Sequence, residues 1–238
     1  MTQRILHLVR HGQIDLTTKP PTHQGWPLTA RGQEQARLTA QRLARLPITA
    51  IHCSTHPRAQ ETAQIIAAQL GDVPLQSSEA LCECVPAVPQ HFRDWHAATG
   101  IEPRDQHLHD VPPAVRPWLN IWTHHVSFES VAAGETQSRH AFDSYFLRPH
   151  DQVEHEIIVS HGNLLGAFLC RVLQLPADAW MQLDMYNCAL SEVRIEQTGD
   201  MRLLSFNDTG HLPYELRTDN ERVLCDWTQS GRSDQSEE

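Results

Sequence analysis

Histidine and arginine side chains stand at the ends of three apolar segments of the chain. Arg10 and His11 follow the first segment, Arg58 follows the turn after the second, and His161 follows the third. If these segments are parallel neighbouring strands, their carboxyl ends lie at one sheet edge and the four side chains converge in a crevice. Arginine binds phosphate oxygens through paired hydrogen bonds, and an unprotonated imidazole is a nucleophile. The pattern predicts a phosphoryl site in which neutral His11 attacks phosphorus.

Transfer of a phosphoryl group to His11 also requires an acid that protonates the departing oxygen. Glu83 lies at the start of the segment predicted to cover this edge, and we expect it to supply the proton. The nearby arginines should lower the pKa of His11 and keep its ring unprotonated. Helices that begin after Pro57 and Asn163 would direct backbone N–H groups toward the same anion. Each residue alone is weak evidence, because a histidine at a strand end is more often structural, and only their combination is specific.

The segments that must position these residues alternate between strand and helix patterns. Apolar runs that end at polar turns predict strands, and the segments after them have helical periodicity, with Thr29 as an N-cap and Gly71 as a terminator. This order is typical of a parallel sheet covered by helices. We therefore predict an α/β fold, a three-layer α/β/α sandwich with a mainly parallel central sheet. The predicted strands are Arg4–Val9, Ile48–Cys53, Glu156–Ser160, Cys188–Gln197 and Met201–Phe206.

One region departs from this alternation. Between about residues 85 and 130, prolines, histidines and tryptophans are mixed without periodicity, which predicts an irregular insertion covering the edge that carries the site. Trp95, Trp118 and Trp122 would form an apolar wall for a substrate, or else pack in the core or at a subunit interface. Residues 1–218 are predicted to form one domain, and the polar segment 219–238 is predicted to be a disordered tail.

The composition of the chain argues against several classes of protein. A net charge of -10 disfavours a sequence-independent nucleic-acid binder, which needs a cationic surface. The sequence has no apolar segment of membrane-spanning length and no secretory signal, so we expect a cytoplasmic protein without a membrane partner. The six cysteines are scattered and are expected to be reduced and structural, with a redox-sensitive Cys82–Cys84 pair as the alternative.

Several motifs occur in the order that is typical of a known family. Together they resemble the histidine phosphatase, or phosphoglycerate mutase-like, superfamily over nearly the whole chain, and this family implies the α/β fold predicted above. The motifs are LVRHGQ at Leu8–Gln13, LTARGQEQA at Leu28–Ala36, CSTHPRAQETA at Cys53–Ala63, the leucine and acid at Leu81 and Glu83, GET at Gly134–Thr136, and VSHGN at Val159–Asn163.

This resemblance assigns roles to the residues that match its motifs. It implies that His11 is the phosphorylated nucleophile, and that Arg10, Arg58 and His161 hold the phosphate. Glu83 would donate a proton to the leaving group and then activate water. The family needs no cofactor and no metal for this reaction, and it makes a homodimer reasonable. The remaining substrate-binding residues on this basis are Gln13, Gly162 and Asn163.

The C-terminal half most resembles the mutase-like serine/threonine protein phosphatases. The matching segments are HGNLLGAFLCRVLQLPADAW, NCALSEVRI and NDTGHLP. Those mitochondrial proteins carry an N-terminal membrane anchor and a tryptophan-rich assembly motif that we expect this sequence to lack, and the segment between Glu83 and Gly134 is longer here. The substrate therefore stays open between a phosphorylated small molecule and a phosphoprotein.

Three other functions remain as alternatives. A phosphoglycerate mutase needs further cations for a carboxylate, and here only Arg93 and Arg104 would substitute, which favours a phosphatase. A phosphate-dependent binding protein would be expected to lose His11 or Glu83, and both are present. A zinc site would use the histidines of the insertion, which lack regular ligand spacing. Those histidines are His91, His96, His107, His109, His124 and His125.

Overall fold

The computed structural model describes residues 3–15, 25–99, 111–116 and 128–218. Within these residues, six strands form one sheet: β1 (Gln3–Arg10), β2 (Ile48–Ser54), β3 (Leu75–Ser78), β4 (Glu154–Ser160), β5 (Leu190–Glu196) and β6 (Met201–Asp208). Their order across the sheet is β3-β2-β4-β1-β5-β6. The first four strands in this order are parallel, whereas β5 and β6 are antiparallel to their neighbours. The sheet is therefore mixed, with the predicted parallel part at its centre.

Two helix layers cover the sheet. The α-helices of the described chain are α1 (Ala30–Leu43), α2 (Pro57–Leu70), α3 (Gln90–Thr99), α4 (Phe128–Phe146) and α5 (Gly162–Val172). Buried residues of α1 and α2 share a core with one sheet face, and those of α4 and α5 share a core with the other. None of the described helices is long and apolar enough to cross a membrane.

The central strands are buried on both faces, which explains their near-continuous apolar sequence. In β1, Leu6 and Leu8 pack with Phe168 on the α4 and α5 side, and Val9 packs with Ile66 on the opposite side. Because β1 and β4 run parallel in register, Arg10 lies opposite Ser160. The residues that follow these two strands therefore emerge together at one edge. The predicted three-layer α/β fold is confirmed.

Local signals account for the ends of the first two helices. The Thr29 hydroxyl accepts a hydrogen bond from the Gly32 amide at 3.0 Å and so caps α1, as its position predicts. Pro57 occupies the first turn of α2, and Gly71 ends that helix with a φ of 81°. Helix α1 ends at Leu43, a few residues before the end that Pro47 suggested.

Two elements differ from the sequence prediction. Strand β3 has the polar sequence Leu75–Ser78 and exposed side chains, so it gives no alternation signal and forms through backbone pairing with β2. The prediction of an irregular insertion is wrong for α3, where Pro89 precedes the helix and its carbonyl accepts bonds from the first turn. Phe92 of α3 is fully buried against Val131 and Trp180. The predicted tail at 219–238 lies outside the described residues.

Candidate active site

His11 follows β1 directly and is held by its neighbours on both sides. Its backbone N–H donates to the Ser160 carbonyl at 2.9 Å, which continues the β1–β4 pairing past the last strand residue. Its Nδ1 lies 2.8 Å from the Gly12 carbonyl, and its side chain is buried. A carbonyl only accepts hydrogen bonds, so Nδ1 carries the ring proton and Nε2 keeps its lone pair. The ring thus presents Nε2 as its nucleophilic atom.

Arg58 contacts that nucleophilic atom. It lies in the first turn of α2, and its Nε donates to His11 Nε2 at 3.1 Å. Burial lowers the pKa of His11 well below its usual value, and the nearby charges of Arg58 and Arg10 lower it further. His11 is therefore neutral near pH 7, which a nitrogen nucleophile requires.

Arg10 approaches the same space from the end of β1. Its guanidinium donates to the Met185 carbonyl, which fixes one end of the side chain. A Cβ placed on Gly162 would lie 3.6 Å from Arg10 Nε, so the guanidinium runs alongside the start of α5. The buried Arg10 and the half-buried Arg58 therefore flank His11, the first beside the start of α5 and the second in the first turn of α2. Such an arrangement favours an anion.

His161 is the N-cap residue of α5 and has no exposed surface. Its Nε2 lies 2.9 Å from Ser54 Oγ, and its ring centroid is 5.1 Å from that of His11. Burial lowers the pKa of His161 well below its usual value, and Arg58 adds to the effect. Its Nδ1 has no hydrogen-bond partner among the described residues. The structure thus brings the two predicted histidines into contact.

Glu83 completes the cluster from the segment after β3. Burial raises the pKa of its carboxyl, against the opposing charges of Arg58 and Arg10 and against backbone N–H bonds from Cys84 and Leu164. Within the described chain, its Oε1 has no hydrogen-bond partner. A carboxyl with a raised pKa and one free oxygen is suited to carry a proton and release it.

The remaining predicted binding residues lie around this cluster. Gln13 turns toward α1, because its side-chain oxygen accepts a hydrogen bond from the Thr29 hydroxyl at 3.1 Å. Gly162 adjoins the Arg10 guanidinium, as described above. Asn163 is partly buried in the first turn of α5. The structure therefore brings five predicted catalytic residues together and places Gln13 at the rim.

Supporting residues that the sequence did not single out fix the loop after β1. Asn187 donates from Nδ2 to the His11 carbonyl at 2.9 Å, and Thr62 Oγ1 accepts from the Gly12 amide at 3.0 Å. The backbone of this loop also packs directly on α1, where a Cβ on Gly32 would lie 2.2 Å from the Gln13 carbonyl oxygen. The motif NCALSEVRI contained the Asn187 signal, but its spacing does not state what the amide contacts.

The insertion was also considered as a zinc site, an apolar wall or a carboxylate contact, and only some of the residues named for these sites are described by the structure. The described residues include no group of three or more histidine, cysteine or acidic side chains that could hold a metal ion. His91 lies near the Ala114 carbonyl, and His96 packs against Phe128. Trp95 packs beside Phe92. Arg93, named for a carboxylate contact, lies over the Phe128 ring. The remaining residues named for these sites lie outside the described residues: His107, His109, His124, His125, Arg104, Trp118 and Trp122.

A family model supplies the decisive comparison. The model of the histidine phosphatase superfamily (branch 1) matches residues 6–209, which include every element of the site described above. The chain belongs to the histidine phosphatase superfamily. Its fold is also that of a solved phosphoglycerate mutase from Plasmodium falciparum, with a TM-score of 0.54 and 24% identity over 90% of this chain and 96% of that one.

Named histidine phosphatase relatives include the mitochondrial serine/threonine-protein phosphatase Pgam5 of Caenorhabditis elegans, 31% identical over 88% of this chain. The corresponding protein of Xenopus laevis is 29% identical over 89%. The chain spans 64% of the length of the nematode relative and 68% of that of the frog relative.

The prediction of a cytoplasmic location is wrong on this comparison, because both relatives are named as mitochondrial. The composition and the core of a catalytic domain follow from its fold and its chemistry. Neither property specifies the compartment in which the domain works.

Proposed function

We propose that this chain is a phosphatase that hydrolyses phosphomonoesters through a phosphohistidine intermediate on His11. The observation that carries the proposal is the state of the His11 ring. It is buried and neutral, its Nδ1 proton is bound by the Gly12 carbonyl, and its Nε2 lone pair is directed at the Arg58 guanidinium. Membership of the histidine phosphatase superfamily and the phosphatase names of the relatives support the same conclusion.

The first step transfers the phosphoryl group to the enzyme. His11 Nε2 forms a bond to phosphorus as the bond from phosphorus to the substrate oxygen breaks. Glu83 gives its proton to that departing oxygen, a role supported by its raised pKa. Arg58 moves its N–H from Nε2 to a phosphate oxygen as the new bond forms. Arg10 and His161 stabilise the remaining charge, so the reaction needs positioning and electrostatic stabilisation rather than a metal.

The second step returns His11 to its starting state. Glu83, now a carboxylate, takes a proton from water as the water oxygen attacks phosphorus. The bond from phosphorus to Nε2 breaks, phosphate leaves, and the carboxyl is protonated again. The backbone contacts of His11 with Ser160, Gly12 and Asn187 hold the imidazole in one orientation through both steps.

The proposed substrate is a phosphoprotein. The relatives are named as serine/threonine-protein phosphatases, and a seryl or threonyl phosphate presents the same terminal group as other phosphomonoesters. A phosphorylated small molecule is the alternative substrate. A homodimer, which the family resemblance makes reasonable, is the proposed assembly, and no membrane or nucleic-acid partner is included.

Hydrolysis of p-nitrophenyl phosphate in excess EDTA tests the reaction, with His11→Ala measured alongside wild type. We expect activity in wild type and no detectable turnover in His11→Ala, because the variant lacks the attacking nitrogen. His140→Ala is the matched control, since His140 is an exposed histidine of α4 and takes no part in the site contacts described above. Activity that disappears with EDTA, or that survives in His11→Ala, would contradict the proposal.

A further inference from the structure

Cys82 lies beside Glu83 and joins the phosphate cluster through hydroxyl groups. Its Sγ is 3.1 Å from Thr55 Oγ1 and 3.3 Å from Ser54 Oγ. The same Ser54 hydroxyl lies 2.9 Å from His161 Nε2. One hydroxyl therefore separates this sulfur from a histidine that is proposed to hold the phosphate. Cys82 is also partly exposed.

Hydrogen bonds make this cysteine different from the others in the described chain. Burial alone would raise its pKa, but hydrogen bonds with His56, Ser54 and Thr55 outweigh burial and hold the pKa at about 6. At neutral pH the group is therefore mainly a thiolate, the reactive form of cysteine.

The other described cysteines have the opposite environment. Burial raises the pKa of Cys53 to about 11, of Cys170 to about 11 and of Cys188 to about 12. Burial also raises the pKa of Cys84, and its thiol donates to the Gly134 carbonyl. These four are protonated at neutral pH and serve as internal controls.

The side-chain cluster that Cys82 adjoins includes Arg58 and, in the described chain, leaves buried polar atoms of two of its members unpaired. His161 has no exposed surface, and its Nδ1 lacks a hydrogen-bond partner within the described residues, as does Glu83 Oε1. The Arg58 guanidinium interacts electrostatically with both Glu83 and Cys82. A group attached to the Cys82 sulfur would therefore lie in the same field as the phosphate and next to the proton donor.

We propose that Cys82 is a peroxide-sensitive thiol whose oxidation switches off the phosphate site; its effect on turnover rests on the proposed function. The sulfur attacks one oxygen of a peroxide and forms an S–O bond as the O–O bond breaks. The cysteine is oxidised to sulfenic acid, and the released hydroxide or alkoxide takes a proton. A dithiol then reduces the sulfenic acid, giving the free thiol, water and a disulfide of the reductant. The added oxygen competes with phosphate for Arg58 and displaces the neighbouring Glu83.

Alkylation by iodoacetamide tests the reactivity without any need for turnover. At pH 6 about half of Cys82 is thiolate, against about 0.3% of a thiol with a pKa of about 8.5. A more acidic thiolate is a weaker nucleophile, which offsets about tenfold of this difference. Cys82 should therefore react about tenfold faster at pH 6 than an ordinary thiol with a pKa of about 8.5. Peptide mapping identifies the labelled cysteine and separates it from Cys225, which lies outside the described residues. Inorganic phosphate in excess should slow labelling of Cys82.

The activity measurement uses wild type, Cys82→Ser and the matched control Cys84→Ser. Hydrogen peroxide should inactivate wild type and Cys84→Ser, dithiothreitol should restore both, and Cys82→Ser should keep its activity throughout. Slow labelling of Cys82 at pH 6, labelling that phosphate leaves unchanged, or equal peroxide sensitivity in Cys82→Ser would each overturn the proposal. If wild type fails to hydrolyse p-nitrophenyl phosphate, the proposed function fails, whereas labelling and phosphate protection still decide the role of the thiol.

Discussion

Arg58 gives the sharpest test of the site, because its removal should change both the rate and the pH dependence. Arg58→Ala takes away a half-buried guanidinium whose Nε lies 3.1 Å from His11 Nε2. A charge-assisted hydrogen bond contributes about 1.5–3 kcal/mol, so two bonds to phosphate represent about 3–6 kcal/mol. Part of this loss is offset, because in the variant the Nε2 lone pair of His11 no longer accepts a hydrogen bond that must break before it attacks phosphorus. We expect a net loss of about 3–4 kcal/mol, similar to that of other donors in shielded sites, or roughly 200- to 1,000-fold in kcat/KM.

The same variant should shift the acid limb of the pH profile. Burial, Arg58 and Arg10 together hold the pKa of His11 below its usual value, so wild type keeps a neutral nucleophile at mildly acidic pH. Without Arg58 this pKa rises, the ring is protonated at higher pH, and activity begins to fall at higher pH than in wild type. Burial remains, so the limb should stay below the ordinary histidine pKa of about 6.5.

The assay is steady-state hydrolysis of p-nitrophenyl phosphate between pH 4.5 and pH 8, with two comparison variants. Arg58→Lys keeps the positive charge but loses the planar pair of donors, so it should lose rate with a smaller shift of the acid limb. Arg139→Ala removes an exposed arginine of α4 whose ion pair within the described residues is an i,i+4 contact with Glu135, and it should leave both properties unchanged. A loss of less than tenfold in Arg58→Ala, or an unshifted acid limb, would refute this account of the site.

Two further predictions concern the acid and the sheet. Glu83→Gln should slow the hydrolysis of alkyl phosphates strongly and that of p-nitrophenyl phosphate much less, because the p-nitrophenolate leaving group needs no proton. If steady-state rates show equal slowing for both substrates, Glu83 is not the acid. Glu156→Gln should lower the free energy of unfolding in urea by about 3–5 kcal/mol, because it leaves the fully buried Arg4 without its carboxylate partner. The control Glu135→Gln, at a partly exposed carboxylate of α4, should change this free energy by less than about 0.5 kcal/mol. Burial would raise the pKa of Glu156, but His52 and Arg148 outweigh burial and hold this pKa at about 2, below the usual 4.5. The stabilisation by Glu156 is therefore present above pH 4.5 and is lost as the pH falls toward 2. The prediction is contradicted if the stability of wild type does not decline more steeply over this range than the stability of Glu156→Gln.

The positions of the site residues follow from sequence wherever burial leaves a periodic signal. β1 and β4 are buried on both faces along most of their length, and β2 is buried toward its carboxyl end, so their sequences are largely apolar there and the polar residue that follows each one is conspicuous. Elements that depend on backbone pairing or on packing with distant segments gave no such signal. β3 pairs with β2 through exposed side chains, and α3 is held by Phe92 against residues more than thirty positions away.

The sequence by itself determined the fold class, the succession along the chain of the strands that carry the site, and the types of residue that stand at their ends. These properties follow from periodicity and from the rule that parallel strands present their carboxyl ends at one edge. Only the tertiary structure decided which atom of His11 is the nucleophile, because that depends on the Gly12 carbonyl at Nδ1 and on Arg58 at Nε2. It also decided the acidity of Cys82, since the groups that stabilise its thiolate lie at the end of β2 and just after it, 26 to 28 residues earlier in the chain. Hydrogen bonds and burial set the protonation state of a side chain, and both arise from contacts that sequence spacing does not contain.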